Sequence, residues 1–310
     1  MNKNIKDLVD NYQIRKTNKQ KISFIAWLRK ITDSLGYDLE IDKYNDHGRN
    51  LIFGDVEKAD IILTAHYDTQ PNGIIPRISF MSNPIIYLIS EICTYGGILG
   101  IFLLFRFALS KFIDTGISYT VTGVLLLLFI FQNITGFANK HTLNDNTSGV
   151  ATILTIMEDL EIHLRKKVCF VFFDHEELGF LGSKNFKDKY HSKIMDKPLI
   201  NFDCVSDGNY MFFITKKKFK NSKYNEALNK SIECNFTKKN DKKALVEKAS
   251  KVIYTSDQIL FSNGIAITAM NKAPILGYYL SRIHSSLDRV FDEENIKLLK
   301  NTMIDFIRKI

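Results

Sequence analysis

Apolar residues fall along this chain in two periods. Phe24, Leu28, Ile31 and Leu35 recur at helical spacing, with Ile25 and Trp27 beside them. They predict an amphipathic helix that ends at Gly36, a residue suited to the left-handed position after a helix. The polar residues 1–20 ahead of it are partly helical. Short runs at residues 37–43, 50–54 and 59–65 predict strands, as does the β-branched and aromatic run Val168–Phe173. Further strands are expected at 198–203, 210–215 and 264–270. Helices are expected at 150–164, through Tyr190, across the polar stretch 224–250, over 255–261 and at 292–310. Strands alternating with helices predict an α/β fold. Its centre is a mixed, mostly parallel β-sheet flanked by helices on both faces.

Two segments break this pattern. Residues 84–105 carry one charge, Glu91, in 22 positions, and residues 117–137 carry none in 21. About 20 apolar residues suffice to cross a bilayer as helix. The short connection 110–116 makes the pair an antiparallel helical hairpin, with a buried hairpin over the active site or a dimer interface as the alternative. Gly96, Gly97 and Gly100 are expected to let its helices approach closely. Glu91, if at depth, is expected to face its partner helix or the protein. The domains expected are therefore a catalytic domain of residues 1–80 and 138–310 and an inserted transmembrane hairpin of residues 84–137. A hairpin returns to the side it left, so both flanks share one compartment.

Charge and cysteines change the picture little. The net charge is +8, with lysines concentrated in 216–223 and 238–251. No aromatic interleaving or reading helix accompanies them, so no nucleic-acid partner is expected. Such runs are solvated faces, with anionic lipid as the alternative. Cys93, Cys169, Cys204 and Cys234 form no CxxC pair, and Cys169 and Cys204 read as buried thiols. No export-signal core is visible at the N-terminus. The catalytic part is expected on the cytoplasmic face of a membrane, held as an integral protein by lipid contact of residues 84–137.

The chemistry sits at the strand ends. Val168–Phe173 stops at Asp174-His175-Glu176-Glu177, followed by Gly179 and Gly182. Adjacent carboxylates raise each other's pKa unless a cation or hydrogen bonds hold them ionised. His66 and Asp68 follow another strand, Asp145 precedes the helix at 150, with Thr147 or Ser148 as its N-cap, and Asp203 ends a further strand. His284 lies in a late loop. Ligands of open α/β sheets bind beyond the carboxyl ends of the strands, where these groups can converge. Two imidazoles and three or more carboxylates suit a pair of zinc ions, and a carboxylate can bridge them where a neutral imidazole cannot.

The series His66-x-Asp68, Asp145-Asn146-x-Ser148-Gly149, Glu176-Glu177-x-Gly179-x-x-Gly182-Ser183, Asp203 and His284 resembles the co-catalytic di-zinc aminopeptidases. That group includes aminopeptidase Y, bacterial leucyl aminopeptidases, glutamate carboxypeptidase and glutaminyl cyclase. The resemblance covers most of residues 50–310. It implies two zinc ions bridged by Asp145, with His66 and Asp203 completing one site and Glu177 and His284 the other. Glu176 is implied as the general base, and Asp68 as the hydrogen-bond partner of the His66 ring. The implied reaction is peptide-bond hydrolysis by a metal-bridging water, on a peptide substrate with a free N-terminus. Alternatives are a glutaminyl-cyclase-type acyltransferase with one zinc, or a non-catalytic scaffold that retains the fold. Intact His66 and Asp203 favour two metals. The resemblance departs in two places: the hairpin intervenes before Asp145, and Gln258 stands where relatives often show His, a difference in support of the site. Tyr278 or Tyr279 is a candidate oxyanion donor, and equally a packing tyrosine. Asp174 and His175 read as neighbours of the site. His47, His141, His163 and His191 read as surface or loop residues, and Asp207 and Asp288 as turn formers.

Overall fold

A computed structural model describes residues 1–75, 78–237 and 241–310. Helix α1 (Lys3–Asn11) precedes α2 (Asn18–Ser34), whose start carries a reciprocal cap. Thr17 Oγ1 accepts from Gln20 N and Gln20 Oε1 accepts from Thr17 N, satisfying two N–H groups that the helix cannot. Gly36, at φ 78°, ends it as its position predicts. Strands β1 (Leu39–Lys43), β2 (Arg49–Phe53), β3 (Ile61–His66) and the two-residue β4 (Ile78–Ser79) follow. Helices α3 (Pro84–Leu109) and α4 (Thr115–Ile134) form the apolar hairpin. Beyond it come α5 (Ser148–Asp159), β5 (Val168–Phe173), α6 (Leu181–Ile194), β6 (Leu199–Phe202) and β7 (Tyr210–Thr215). The chain closes with α7 (Lys217–Lys220), α8 (Tyr224–Asn235), β8 (Lys243–Lys248), β9 (Gly264–Ala273), β10 (Gly277–Ser281) and α9 (Glu293–Lys309).

The strands form one sheet in the order β1-β2-β5-β3-β6-β9-β10-β4, with β7 pairing β9 and β8 pairing β7. Its centre, β5-β3-β6-β9, is parallel, and β2, β7 and β10 join it antiparallel. Parallel strands covered on both faces need continuous apolar runs. All six residues of β5 are buried accordingly, and Phe170, Phe172 and Phe173 each contribute roughly 1.5–3 kcal/mol of burial. Helices α1, α2, α5, α8 and α9 pack on one face, while α6 covers the other through Phe186 against Phe173, 5.5 Å between ring centroids. Because β3, β5 and β6 run in one direction, His66, Glu176, Glu177 and Asp203 all emerge at the same edge.

The polar stretch 224–250 is not one helix. After α8 the chain forms β8, whose residues pair in parallel register with β7 from Tyr210↔Lys243 to Thr215↔Lys248. Backbone pairing along the sheet edge overrides helix propensity there, and lysines on an outer strand discourage further pairing. Residues 238–240 of that stretch lie outside the described residues. Strand β10 was not legible as a strand because its Tyr-Tyr core is flanked by turns.

Most of the hairpin is exposed, and its base meets the rest of the fold. No residue of α3 and only Ser118 of α4 is buried, and Ile85 and Leu104 are 71% and 70% exposed. An apolar hairpin buried along its length against the sheet domain is therefore not what the chain builds. The expected glycine contact is also wrong: a Cβ added at Gly96, Gly97 or Gly100 would meet nothing within 4 Å. The helices instead meet through Phe102 and Phe129, edge to face at 5.8 Å, and through Arg106 over the Tyr119 ring at 4.3 Å. Ser79 Oγ donates to Glu91 Oε1 at 3.5 Å, so this acid faces the sheet domain, as expected.

One ion pair inside the fold has a measurable consequence. Lys21 of α2 donates to Asp174 at the end of β5, and both side chains are almost fully buried. Burial, then the charge of Asp68, pushes the Asp174 carboxyl up, and Lys21 opposes both. Lys21→Met leaves a buried carboxylate without its cation and should cost about 3–5 kcal/mol. A denaturant midpoint unchanged from wild type would refute the pair's structural role.

Candidate metal centre

Asp145 sits in the irregular turn Leu143–Thr147 before α5, where its backbone is held from three sides. Asp288 Oδ1 and Oδ2 accept from the N–H groups of Asn144 and Asp145 at 2.7 and 3.0 Å. Asn144 Oδ1 accepts from Ser206 N and Asp207 N, and Asn146 Nδ2 donates to Phe202 O at 2.9 Å. The turn is thereby tied to the end of β6. Gly149 permits this approach, since a Cβ there would lie 2.4 Å from Phe202 O. Gly182 similarly lets α6 meet the end of β5, where a Cβ would be 2.2 Å from Asp174 O. Neither Thr147 nor Ser148 caps α5 with its side chain; Asn146 Oδ1 accepts from Gly149 N instead, and Ser148 Oγ is engaged with Asn144 O.

The sequence-predicted ligands converge. Asp145 Oδ1 lies 3.3 Å from His66 Nε2, and Asp145 Oδ2 lies 3.0 Å from His284 Nε2. Asp203 Oδ1 is 3.5 Å from His66 Nε2, and Glu177 Oε2 is 3.6 Å from His284 Nε2. Beside a third group, His66–Glu176–Glu177, two triads result among the described residues, His66–Asp145–Asp203 and Asp145–Glu177–His284, each with ligand atoms within 4.8 Å of one another. They share Asp145, one oxygen to each side. Behind His66, its Nδ1 lies 3.5 Å from Asp68 Oδ1 and 3.2 Å from the Asp68 carbonyl oxygen. The Asp68 carboxylate also accepts from Glu176 N and Glu177 N at 3.0 and 3.3 Å. One aspartate thus links the β3 and β5 ends.

The electrostatics match a cation-binding cluster. Burial, then the neighbouring acids, pushes Glu176 and Glu177 well up. Burial acts the same way on Asp145, but the two imidazoles outweigh it and hold this carboxyl below the usual range. His66 is pushed up by Glu176, Asp145, Asp203 and Asp68 against its burial. Glu177 Oε1 and Asp203 Oδ1 are buried without a hydrogen-bond partner among the described residues. Stranded carboxylate oxygens are costly unless something positive completes them. Imidazole nitrogen and carboxylate oxygen are the donors zinc takes, so the residues present fit such ions.

Several site neighbours escape sequence reasoning. Asp288 is a support for Asp145 and not merely a turn former, and its carboxyl is pushed up to about 8 by burial and then the Asp145 charge. Asp207 accepts two bonds from the Arg282 guanidinium at 2.8 and 2.6 Å, bracing the loop that carries His284. Arg15 is fully buried; it donates to Tyr67 O and Thr147 Oγ1 and its charge faces Asp68 and Asp145. Nothing in its polar N-terminal segment marks it. Gln258 supports the site at one remove, accepting from Asn201 Nδ2 and donating to Tyr254 O. His175 accepts a place beside Tyr44, 3.0 Å from its hydroxyl, and stays a neighbour. Tyr278 and Tyr279 do not line the catalytic pocket: Tyr278 packs edge-on against Tyr210 and Phe212, and Tyr279 against Phe80. The tyrosines that line it are Tyr87 and Tyr254, the latter donating to Asp203 O at 3.0 Å. Phe180, Cys204 and His284, which line this pocket, adopt positive φ between 55° and 62°, as do His175 and Arg282, at 56° and 70°, next in sequence to the lining residues Glu176 and Ile283. Strained backbone of this kind concentrates at functional sites.

Asp288 yields a second test. Asp288→Asn turns an NH₂ group toward one of two backbone N–H donors, loosening Asp145. Zinc affinity should fall about 10–100-fold, as competition with a chromogenic chelator would read; an unaltered affinity would show the support to be dispensable.

Comparison with known proteins places the arrangement. No curated protein matches the chain. Among solved structures, a glutaminyl cyclase of Bacteroides thetaiotaomicron bound to N-acetylhistamine is similar in fold, with a TM-score of 0.58 and 16% identity over 99% of this chain and 95% of that one. A leucine aminopeptidase precursor from Bacteroides thetaiotaomicron VPI-5482 gives a TM-score of 0.55 and 15% identity over 99% and 94%. A Zn-dependent exopeptidase from Parabacteroides distasonis gives 0.57 and 15% over 98% and 95%. A sequence profile described as Peptidase family M28 matches residues 134–307, more than half of the chain. The chain belongs to peptidase family M28, whose members bind zinc and hydrolyse peptide bonds.

Proposed function

We propose that this chain is a membrane-anchored aminopeptidase working with two zinc ions. The observation that carries the reading is the division of Asp145 between two imidazoles, one carboxylate oxygen 3.3 Å from His66 and the other 3.0 Å from His284. A bridging carboxylate with a complete triad on each side supports two metals over the single zinc of a cyclase-type acyltransferase. His66 and Asp203 would hold one ion, Glu177 and His284 the other, and Asp145 both. When bound, the ions would polarise the scissile carbonyl and acidify the attacking water.

The chain's own groups supply the rest. Glu176, grouped with His66 and Glu177 and lining with Asp145, Asp203 and His284 a pocket of about 300 Å³, would take the proton as water oxygen attacks the carbonyl carbon. It would return that proton to the amine nitrogen as the C–N bond breaks. Asp68 would orient the His66 ring and, through its bonds to Glu176 N and Glu177 N, hold base and ligand in register. Metal analysis with a panel of aminoacyl substrates tests the reading. About two zinc per chain and release of N-terminal residues are expected. One zinc with cyclisation would favour the cyclase, and none the scaffold.

The hairpin is assigned to the membrane on its length and exposure. Helices α3 and α4 have 26 and 20 residues and present apolar side chains outward along their length. In this reading residues 1–80 and 138–310 form one catalytic unit on the cytoplasmic face, and 84–137 anchor it. Deleting 84–137 with a Gly/Ser joint should give a soluble protein. A full-length chain that stays in aqueous buffer without detergent would overturn the anchor.

A further inference from the structure

A second cavity, of about 470 Å³, lies between the two hairpin helices and shares one lining residue, His284, with the pocket at the metal centre. Ile98, Leu99, Leu126, Phe129 and Ile130 wall it, and His284 stands at its inner end. His284 also lines the catalytic pocket, so one side chain, 35% exposed, is common to both spaces. The junction is built and not incidental. Gly73 N donates to His284 O at 2.8 Å, and a Cβ at Gly73 would lie 2.4 Å from that oxygen. Gln132 of α4 donates to Asn72 O at 3.0 Å, and Asn72 N to Phe137 O at 2.8 Å. The base of α4 is therefore stitched to the loop that holds a metal-ligand residue. From the other side, Tyr87 in the first turns of α3 lines the catalytic pocket with Ser79 and Met81. The hairpin thus furnishes walls to both cavities.

We infer that the hairpin cavity is a substrate subsite for apolar peptide residues lying beyond the N-terminal one, making this a peptidase for hydrophobic, bilayer-associated peptides. The inference rests on the peptidase reading above and names its substrate class. A wall of aliphatic and aromatic side chains offers a polar side chain no hydrogen-bond partner and so admits apolar side chains over polar ones, whether they come from water or from lipid. The volume falls within the range of ligand pockets, enough for more than one such side chain. A peptide is the occupant favoured because His284 lines both this cavity and the catalytic pocket, so a chain with its scissile bond at the metal centre has this cavity as its neighbouring space. The helices that wall it would lie in the acyl region, so a peptide partitioned into the bilayer reaches the site without returning to water.

The test uses the full-length, zinc-loaded chain in lipid nanodiscs. Two tetrapeptides share an N-terminal leucine and differ in the next three residues, apolar in one and serine in the other. The expected ratio of kcat/KM, apolar over polar, is about tenfold or more, and it should fall toward unity in Ile98→Trp and in Ile130→Trp, which fill the cavity from different helices. An independent readout uses Glu176→Gln and an apolar peptide with a photoreactive leucine at its third position. Cross-links are expected within residues 94–99 and 126–134, and excess unlabelled apolar peptide should remove them. A wild-type ratio near one, or cross-links confined to lipid or to the sheet domain, overturns the subsite; a lipid chain occupying the cavity gives that result. If neither peptide is cut, the peptidase reading itself fails. Equal cleavage of both sinks only the subsite.

Discussion

Glu176→Gln is expected to lower kcat by about 10²–10⁴-fold while the chain keeps its zinc. The side chain groups with His66 and Glu177 and is not the residue that the His66–Asp145–Asp203 and Asp145–Glu177–His284 triads share, and its backbone N–H is held by Asp68. Glutamine preserves that shape and hydrogen bond but cannot accept a proton at neutral pH. Loss of turnover with unchanged metal content separates proton transfer from metal holding. If activity persists, Glu176 is not the base; if zinc is lost as well, it is a ligand.

The other large effect should come from Asp145→Asn. The amide has one carbonyl oxygen where the carboxylate has two, and its NH₂ group would face an imidazole nitrogen. It can serve His66's side or His284's side, not both. Bound zinc should drop from about two per chain to one or fewer, and kcat/KM by about 10³-fold or more, the loss of several kcal/mol of charge stabilisation. Two zinc ions retained in the variant would mean that Asp145 does not bridge.

Part of the site was written locally. A strand's side chains alternate and its end is abrupt, so an acid or imidazole just beyond an apolar run is visible in sequence. His66, Glu176, Glu177 and Asp203 were recognisable in this way, and Asp145 by its place ahead of an apolar helix. Their supports were not. Asp288 reaches Asp145 from a loop more than a hundred positions away, and Arg15 reaches Tyr67 O and Thr147 from the polar N-terminal segment. Lys21 lies on a helix face that looks solvated until Asp174 arrives beneath it. Each carries the same residue types that elsewhere in the chain face water, and only burial distinguishes them. Tyr278 failed as a candidate for the same reason: an aromatic hydroxyl reads alike in a pocket or against Tyr210.

Sequence alone determined the sheet-and-helix architecture, the hairpin and the acids and imidazoles beyond the strand ends, because periodicity, segment length and strand-end chemistry are properties of neighbouring residues; which five of them are candidate ligands came from the family resemblance. Tertiary structure alone decided that Asp145 offers one oxygen to each imidazole, that the hairpin glycines make no close helix contact, and that His284 lines two cavities. Those facts depend on the directions in which side chains leave distant strands and loops. Such directions are set by packing and by hydrogen bonds between segments far apart in the chain, for which no local pattern stands in.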